Sequence, residues 1–282
     1  MNYRHAFHAG NHADVLKHIV LSRVIEYFKT KEKPFAFLDA HAGLGAYDLE
    51  GIQATKTGEW QGGIGKLAEP FDREVETLLA PYRAAIGAMN SDGGARFYPG
   101  SPELALRLLR PIDRVIANEL HPVDVETLRE NYKHDKRVRV TSLDAVQSVK
   151  TELPFPQKRG FVLIDPPFEV LDECERVAQA ITFGHRRFAT GTFLIWYPVT
   201  TEEFVAKFLE TMSVLALPNM LKVELRVKSA FERGGLAGSG LIVINPPWTL
   251  EAELNLILPA LATRLGLGTW GRGQVEWITP PK

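Results

Sequence analysis

An α/β fold with a largely parallel sheet, covered on both faces, is predicted by three observations. Short continuous apolar runs of strand length recur along the chain. Helical stretches alternate with them, which is the pattern of strands buried from both sides. Several of the runs end in an acidic residue, the first followed by a Gly-x-Gly turn, as if a ligand were met at one edge of the sheet.

Residues 12–28 carry Val15, Ile19, Val24 and Phe28 at nearly helical spacing. A strand at 35–39 ends in Asp39. Residues 46–100 fit no strand–helix alternation and are rich in glycine, with one helical patch near 73–86, so they read as an insertion. Ser101 is the expected N-cap of a helix to Leu109, with Pro102 in its first turn. Strands follow at 114–119, 138–142, 160–165, 192–197 and 240–245, with helices at 122–131, 172–183 and 202–217. The run 220–228 alternates Leu221, Val223, Leu225 and Val227 with charged residues and predicts a half-exposed edge or antiparallel strand.

The 282 residues suit about two domains at roughly 150 residues each, or one α/β domain with an insertion. No linker separates two units, so the expectation is one domain, 1–282, with 46–100 inserted. A formal net charge of −1 excludes a polybasic protein but not a nucleic-acid enzyme, which needs only a local basic surface. The single Cys174 excludes a disulfide framework and a Cys-rich zinc module. No apolar run reaches the roughly 18 residues of a membrane span, and no signal-type core opens the chain. A cytoplasmic protein is expected, with no membrane partner.

The candidate chemistry lies at the strand ends. Asp39-Ala40-His41-Ala42-Gly43-Leu44-Gly45 reads either as a structural turn or as a loop whose backbone approaches a ligand. The full dinucleotide fingerprint is absent, and no phosphate-cradling Lys-Ser/Thr follows, so a ligand without pyrophosphate fits better. Glu119 is either a solvated carboxylate or a ribose-binding one. It stands 74 residues beyond Gly45, and removing the insertion brings it to the usual interval of about 20. Asp144 ends the third core strand.

The sharpest signal is Asp165-Pro166-Pro167-Phe168, ending the fourth. Two prolines remove amide donors and force extended backbone, so carboxylate and carbonyls present acceptors to a planar amine, with Phe168 available for stacking. Asn245-Pro246-Pro247-Trp248 repeats the pattern with an amide and is read as a structural turn. Four of the eight histidines fall in the first 18 residues. They suggest either a metal site or a polar, basic patch touching ligand. The spacing of His12 and His18 disfavours a metal, and none is assigned.

These residues carry a resemblance. The block 3–18 (Tyr-Arg-His-Ala-Phe-His-Ala-Gly-Asn-His-Ala-Asp-Val-Leu-Lys-His), Leu38-Asp39-Ala40-His41-Ala42-Gly43, Tyr98-Pro99-Gly100-Ser101-Pro102, Glu119-Leu120-His121-Pro122 and Asp165-Pro166-Pro167 closely resemble the ribosomal large-subunit methyltransferase J family. The resemblance spans essentially the whole chain. It implies a Rossmann-like S-adenosylmethionine-dependent methyltransferase fold with a small inserted helical subdomain. It implies methyl transfer to the N6 amine of an adenine in 23S ribosomal RNA by a monomer. By the same likeness Lys17, His18, His41, Gly43, Ser101, Glu119, Asp144, Ala145 and Asp165 lie at S-adenosylmethionine. Asp165 is catalytic, while Tyr3, Pro166 and Phe168 meet the RNA. The sequence departs from the family at Phe168, where tyrosine is usual, and at Ala145, where glycine is common. The competing expectations are a metal-dependent nucleic-acid hydrolase and a non-catalytic nucleic-acid-binding protein, since relatives are linked to the use of external DNA.

Overall fold

The computed structural model describes residues 4–90, 94–229 and 235–281. Its centre is an eight-stranded sheet ordered β10-β8-β9-β7-β6-β1-β4-β5. The strands are β1 (Ala36–Asp39), β4 (Arg114–Asn118), β5 (Val138–Thr141), β6 (Gly160–Ile164), β7 (Thr192–Val199), β8 (Met220–Arg226), β9 (Gly238–Ile244) and β10 (Arg272–Thr279). The β7-β6-β1-β4-β5 half is parallel, and β9, β8 and β10 add antiparallel strands. A separate ribbon pairs β2 (Ala46–Asp48) with β3 (Phe97–Pro99).

Helices cover both faces. The first face carries α1 (His12–Lys29), α3 (Arg73–Gly87), α4 (Ser101–Leu108), α5 (Pro122–Tyr132) and α9 (Leu250–Leu265) over one apolar cluster. The second carries α6 (Ala145–Glu152), α7 (Glu173–Arg187) and α8 (Glu202–Val214) over another. Strand alternation divides the sheet's residues between them: Phe161 and Leu163 of β6 enter the first cluster, Val162 and Ile164 the second. The first helix is buried almost all round because α3, α4, α9 and β9 all touch it.

Between β2 and β3 lie α2 (Ile52–Thr57), two 3-10 turns and α3. This segment grips the N-terminal block: the Ile64 amide donates to the Gly10 carbonyl at 2.8 Å, and His8 and Asn11 both bond Glu59 at 2.9 Å.

Two expectations change, and the reading of Asn245-Pro246-Pro247 as a structural turn holds. Gly100, not Ser101, is the N-cap of α4; Ser101 is its first helical residue, pointing inward at 6% exposure. The strand at 220–226 is antiparallel, as one of its two readings had it, but it is neither at the edge nor half-exposed, because β10 pairs outside it and nearly every position is buried. The paired Asp-Pro-Pro and Asn-Pro-Pro motifs occupy opposite edges. Strand β9 runs antiparallel to β7, so Asn245 follows Ile244 to the amino end of β7, where Ile244 pairs with Phe193. There its amide donates to the carbonyls of Ala189 and Gly191 at 2.9 Å each, and its own carbonyl accepts from Thr192 at 2.7 Å. Its φ of 51° is one that asparagine tolerates better than most residues.

Asn245 therefore ties off a strand end. Asn245→Ala should lower the unfolding free energy by about 1–3 kcal/mol, as carbonyls lose their donors, and leave ligand binding at the opposite edge unchanged. Urea titration beside a binding measurement checks both; unchanged stability contradicts this role.

Candidate active site

Four parallel strands deliver their carboxyl ends to one edge. Asp39 ends β1, Glu119 follows β4, Asp144 caps α6 after β5, and Asp165 follows β6. Glu119 is held by two backbone amides, Gly43 N–H to Oε2 at 2.8 Å and His121 N–H to Oε1 at 2.7 Å. Burial raises its pKa against those two bonds. The Asp144 carboxylate accepts from the Val146 and Gln147 amides and meets Arg176. In the glycine loop, Gly43 has φ +60°, and a Cβ there would stand 2.3 Å from the Tyr47 hydroxyl. The close approach that demands glycine is thus made by the protein itself, shaping the loop that reaches Glu119.

The N-terminal block supplies the other wall. Asn11 caps α1 by accepting from the Ala13 and Asp14 amides. Asp14, 1% exposed, accepts from His5 Nε2 and the Gly10 amide, both at 2.9 Å. The Lys17 ammonium lies 2.8 Å from Asp14 and 2.5 Å from Asp165 Oδ2. Burial opposes the charge on each of Asp14 and Lys17. Their mutual attraction, with His5 and Asp165, wins and holds Asp14 well below and Lys17 above the ordinary range.

His41 accepts the Asp165 amide at Nδ1 (3.1 Å), and burial lowers its pKa to about 4. It is neutral, with its proton on Nε2. His18 bonds the Tyr98 hydroxyl at 3.0 Å and is lowered by burial to about 3; its Nε2 is buried and unpartnered. Four of the histidines bond different groups: His5 Asp14, His8 Glu59, His18 Tyr98 and His41 the Asp165 backbone. Among the described residues, no group of three His, Cys, Asp or Glu is arranged to hold a metal ion.

Two cavities open here. The first, about 160 Å³, is walled by His18, His41, Gly43, Ser101, Glu119, Asp144, Ala145 and Asp165. All the positions expected at the methyl donor are therefore brought together, with Lys17 beside them. The second, about 600 Å³, is walled by Asn11, His12, Phe168, Pro198, Thr200 and others. Both share His5, Lys17, Asp165, Pro167 and Trp196. Pro166 lines the first cavity, and Tyr3 lies outside the described residues. Sequence reasoning missed Trp196 and the Asp14 anchor, neither of which carries a motif of its own.

Asp39 is fully buried, with one oxygen accepting from the His41 amide and the other unpartnered, and burial pushes its pKa up to about 7. The unfolded carboxyl titrates near 3.8. Between these values the folded state binds more protons. Stability therefore falls as pH rises through that window, and the loss is complete above about pH 7. Asp39→Asn removes the titration. Its melting temperature relative to wild type should be higher at about pH 8 than at about pH 5; an equal difference at both would show that Asp39 does not titrate between them.

The family described as RsmJ, Ribosomal RNA large subunit methyltransferase D, RlmJ, matches residues 32–279. The chain is 45% identical to Ribosomal RNA large subunit methyltransferase J of Haemophilus influenzae, with 99% of each chain covered. It is 42% identical to the protein of the same name from Escherichia coli, again over 99% of each. A crystal structure of a protein from Legionella pneumophila superposes with a TM-score of 0.86 at 34% identity, covering 95% of this chain and 98% of that one. The hydrolase and pure-binder alternatives find no support in these likenesses. The chain belongs to the RlmJ family of ribosomal RNA large-subunit methyltransferases.

Proposed function

We propose that this chain transfers a methyl group from S-adenosylmethionine to the N6 amine of an adenine in 23S ribosomal RNA. The observation that carries the reading is that Asp165, in Asp-Pro-Pro, stands on the wall shared by two cavities. One cavity suits the donor and the other a flipped-out base. Among the described residues, no helix is long and apolar enough to cross a membrane. An rRNA substrate favours a cytoplasmic place of action.

The first cavity fits the donor chemically. Each Glu119 oxygen spends one lone pair on a backbone amide, leaving acceptors for a vicinal diol. Asp144 and the Ala145 backbone would offer contacts to a purine edge, and His18, His41 and Ser101 line the remainder of the cavity. S-adenosylmethionine, when bound, supplies a methyl group on a cationic sulfur.

The chain's own work falls on the amine. An adenine N6 lone pair is delocalised into the ring and attacks poorly. Lys17 holds Asp165 at Oδ2, so Oδ1 is the oxygen left to accept one N–H, with the Pro166 carbonyl as acceptor for the other. Two such bonds favour a pyramidal nitrogen and stabilise the positive charge that grows on it. Asp14 offsets the Lys17 charge, so the trio keeps a net negative field for that cation. A paired base cannot reach this wall, so the adenine must be unpaired or flipped out.

Two substitutions test the assignment. Asp165→Asn should cut methyl transfer by about 100-fold or more, while calorimetric affinity for S-adenosylhomocysteine changes only a few-fold; near-normal turnover overturns the role. Glu119→Ala should weaken S-adenosylhomocysteine by roughly 1.5–3 kcal/mol, the range for hydrogen bonds to a charged group. Unchanged affinity would return Glu119 to a structural part in holding the glycine loop.

A further inference from the structure

The proposed reaction needs a flat apolar surface beside Asp165 on which the base can lie. The sequence offers Phe168, which lines the second cavity but also packs into the apolar cluster on the second face of the sheet. Phe168 adopts φ 49°, an unusual value for a bulky residue. Its ring packs edge-on against Phe204 at 5.6 Å and Phe208 at 5.9 Å, in the cluster beneath α8 on the second face of the sheet. Its ring is thus shared between that packing and the cavity wall.

Trp196 stands where the surface is needed. Ile164 of β6 pairs with Ile195 of β7, so the next residues, Asp165 and Trp196, are neighbours across parallel strands and project to the same face. That is the α1 face, which also carries Lys17: Trp196 packs on the first apolar cluster, as Leu163 and Leu194 do. Its indole N–H donates to Ser239 Oγ at 2.8 Å, which fixes the ring plane and satisfies its polar edge. Trp196 lines both cavities.

We infer that Trp196 is an aromatic on which the target adenine stacks, with the Phe168 ring packed at a tilt against it at 5.9 Å. This rests on the reading of the second cavity as the base pocket. Stacking on an aromatic face is tolerant of ring type, so phenylalanine would replace the indole and alanine would not.

The test uses the whole chain saturated with S-adenosylhomocysteine and titrated with adenosine 5′-monophosphate, following tryptophan emission. Wild type should show saturable quenching. Trp196→Phe should lose most of that amplitude, yet keep a KM for 23S rRNA close to wild type. Trp196→Ala should raise that KM roughly 5- to 150-fold, with S-adenosylhomocysteine affinity little changed. No quenching in wild type, undiminished quenching in Trp196→Phe, or an unchanged KM in a folded Trp196→Ala would each overturn the proposal. Should Trp196→Ala fail to fold, the titration of Trp196→Phe decides. Absence of any adenine methylation by wild type would instead remove the functional reading, which the emission titration does not measure.

Discussion

Lys17 places one ammonium between two carboxylates, Asp14 on its own helix and Asp165 at the end of β6, with all three withdrawn from most water. Removing such charges from solvent costs several kcal/mol per ion, and only close pairing with further hydrogen bonds offsets it. Asp14 meets that condition, with His5, the Gly10 amide and Lys17 around it. The result is a tether between the first helix and the strand end that holds Asp165. It joins the part of the chain read before the sheet begins to the loop where the chemistry is assigned, and so fixes the orientation of Asp165 Oδ2.

Other features arrange themselves around that tether. Asn11 caps α1 and bonds Glu59, so the segment between β2 and β3 secures the helix end on which Asp14 sits. The parallel pairing of β1 with β4 and β6 brings Asp39, Glu119 and Asp165 to one edge without any long loop. The two cavities then meet at the tethered carboxylate. A methyl donor in one and an amine in the other would face each other across it, which is the geometric requirement of an in-line transfer.

Much of this was legible in the sequence. Acidic residues closing apolar strands, a Gly-x-Gly turn and Asp-Pro-Pro are local signals, and each lies at the predicted edge. What the sequence did not disclose depends on strand direction and register. The Asn-Pro-Pro motif reads as a structural turn from the sequence, but that it lies at the far edge follows only from β9 running antiparallel. Trp196 gains its place only from the pairing of Ile164 with Ile195. The strand at 220–226 alternates like a half-exposed one, yet β10 pairs outside it and its polar side chains find partners, Lys222 with Gln274 and Glu276 and Glu224 with Tyr197 and Arg226. Strand β10 itself is polar and mostly exposed, and α9 carries Pro259 within it, so neither announces itself by periodicity.

The central claim is that the wall shared by the two cavities presents an adenine amine to the donor. The most direct measurement incubates the wild-type protein with protein-free 23S rRNA and methyl-labelled S-adenosylmethionine, then digests the RNA and identifies the labelled nucleoside by mass and fragmentation. N6-methyladenosine at a single, unpaired position is expected. Label on a ring nitrogen, a ribose oxygen or a different base, or no transfer at all, would contradict it.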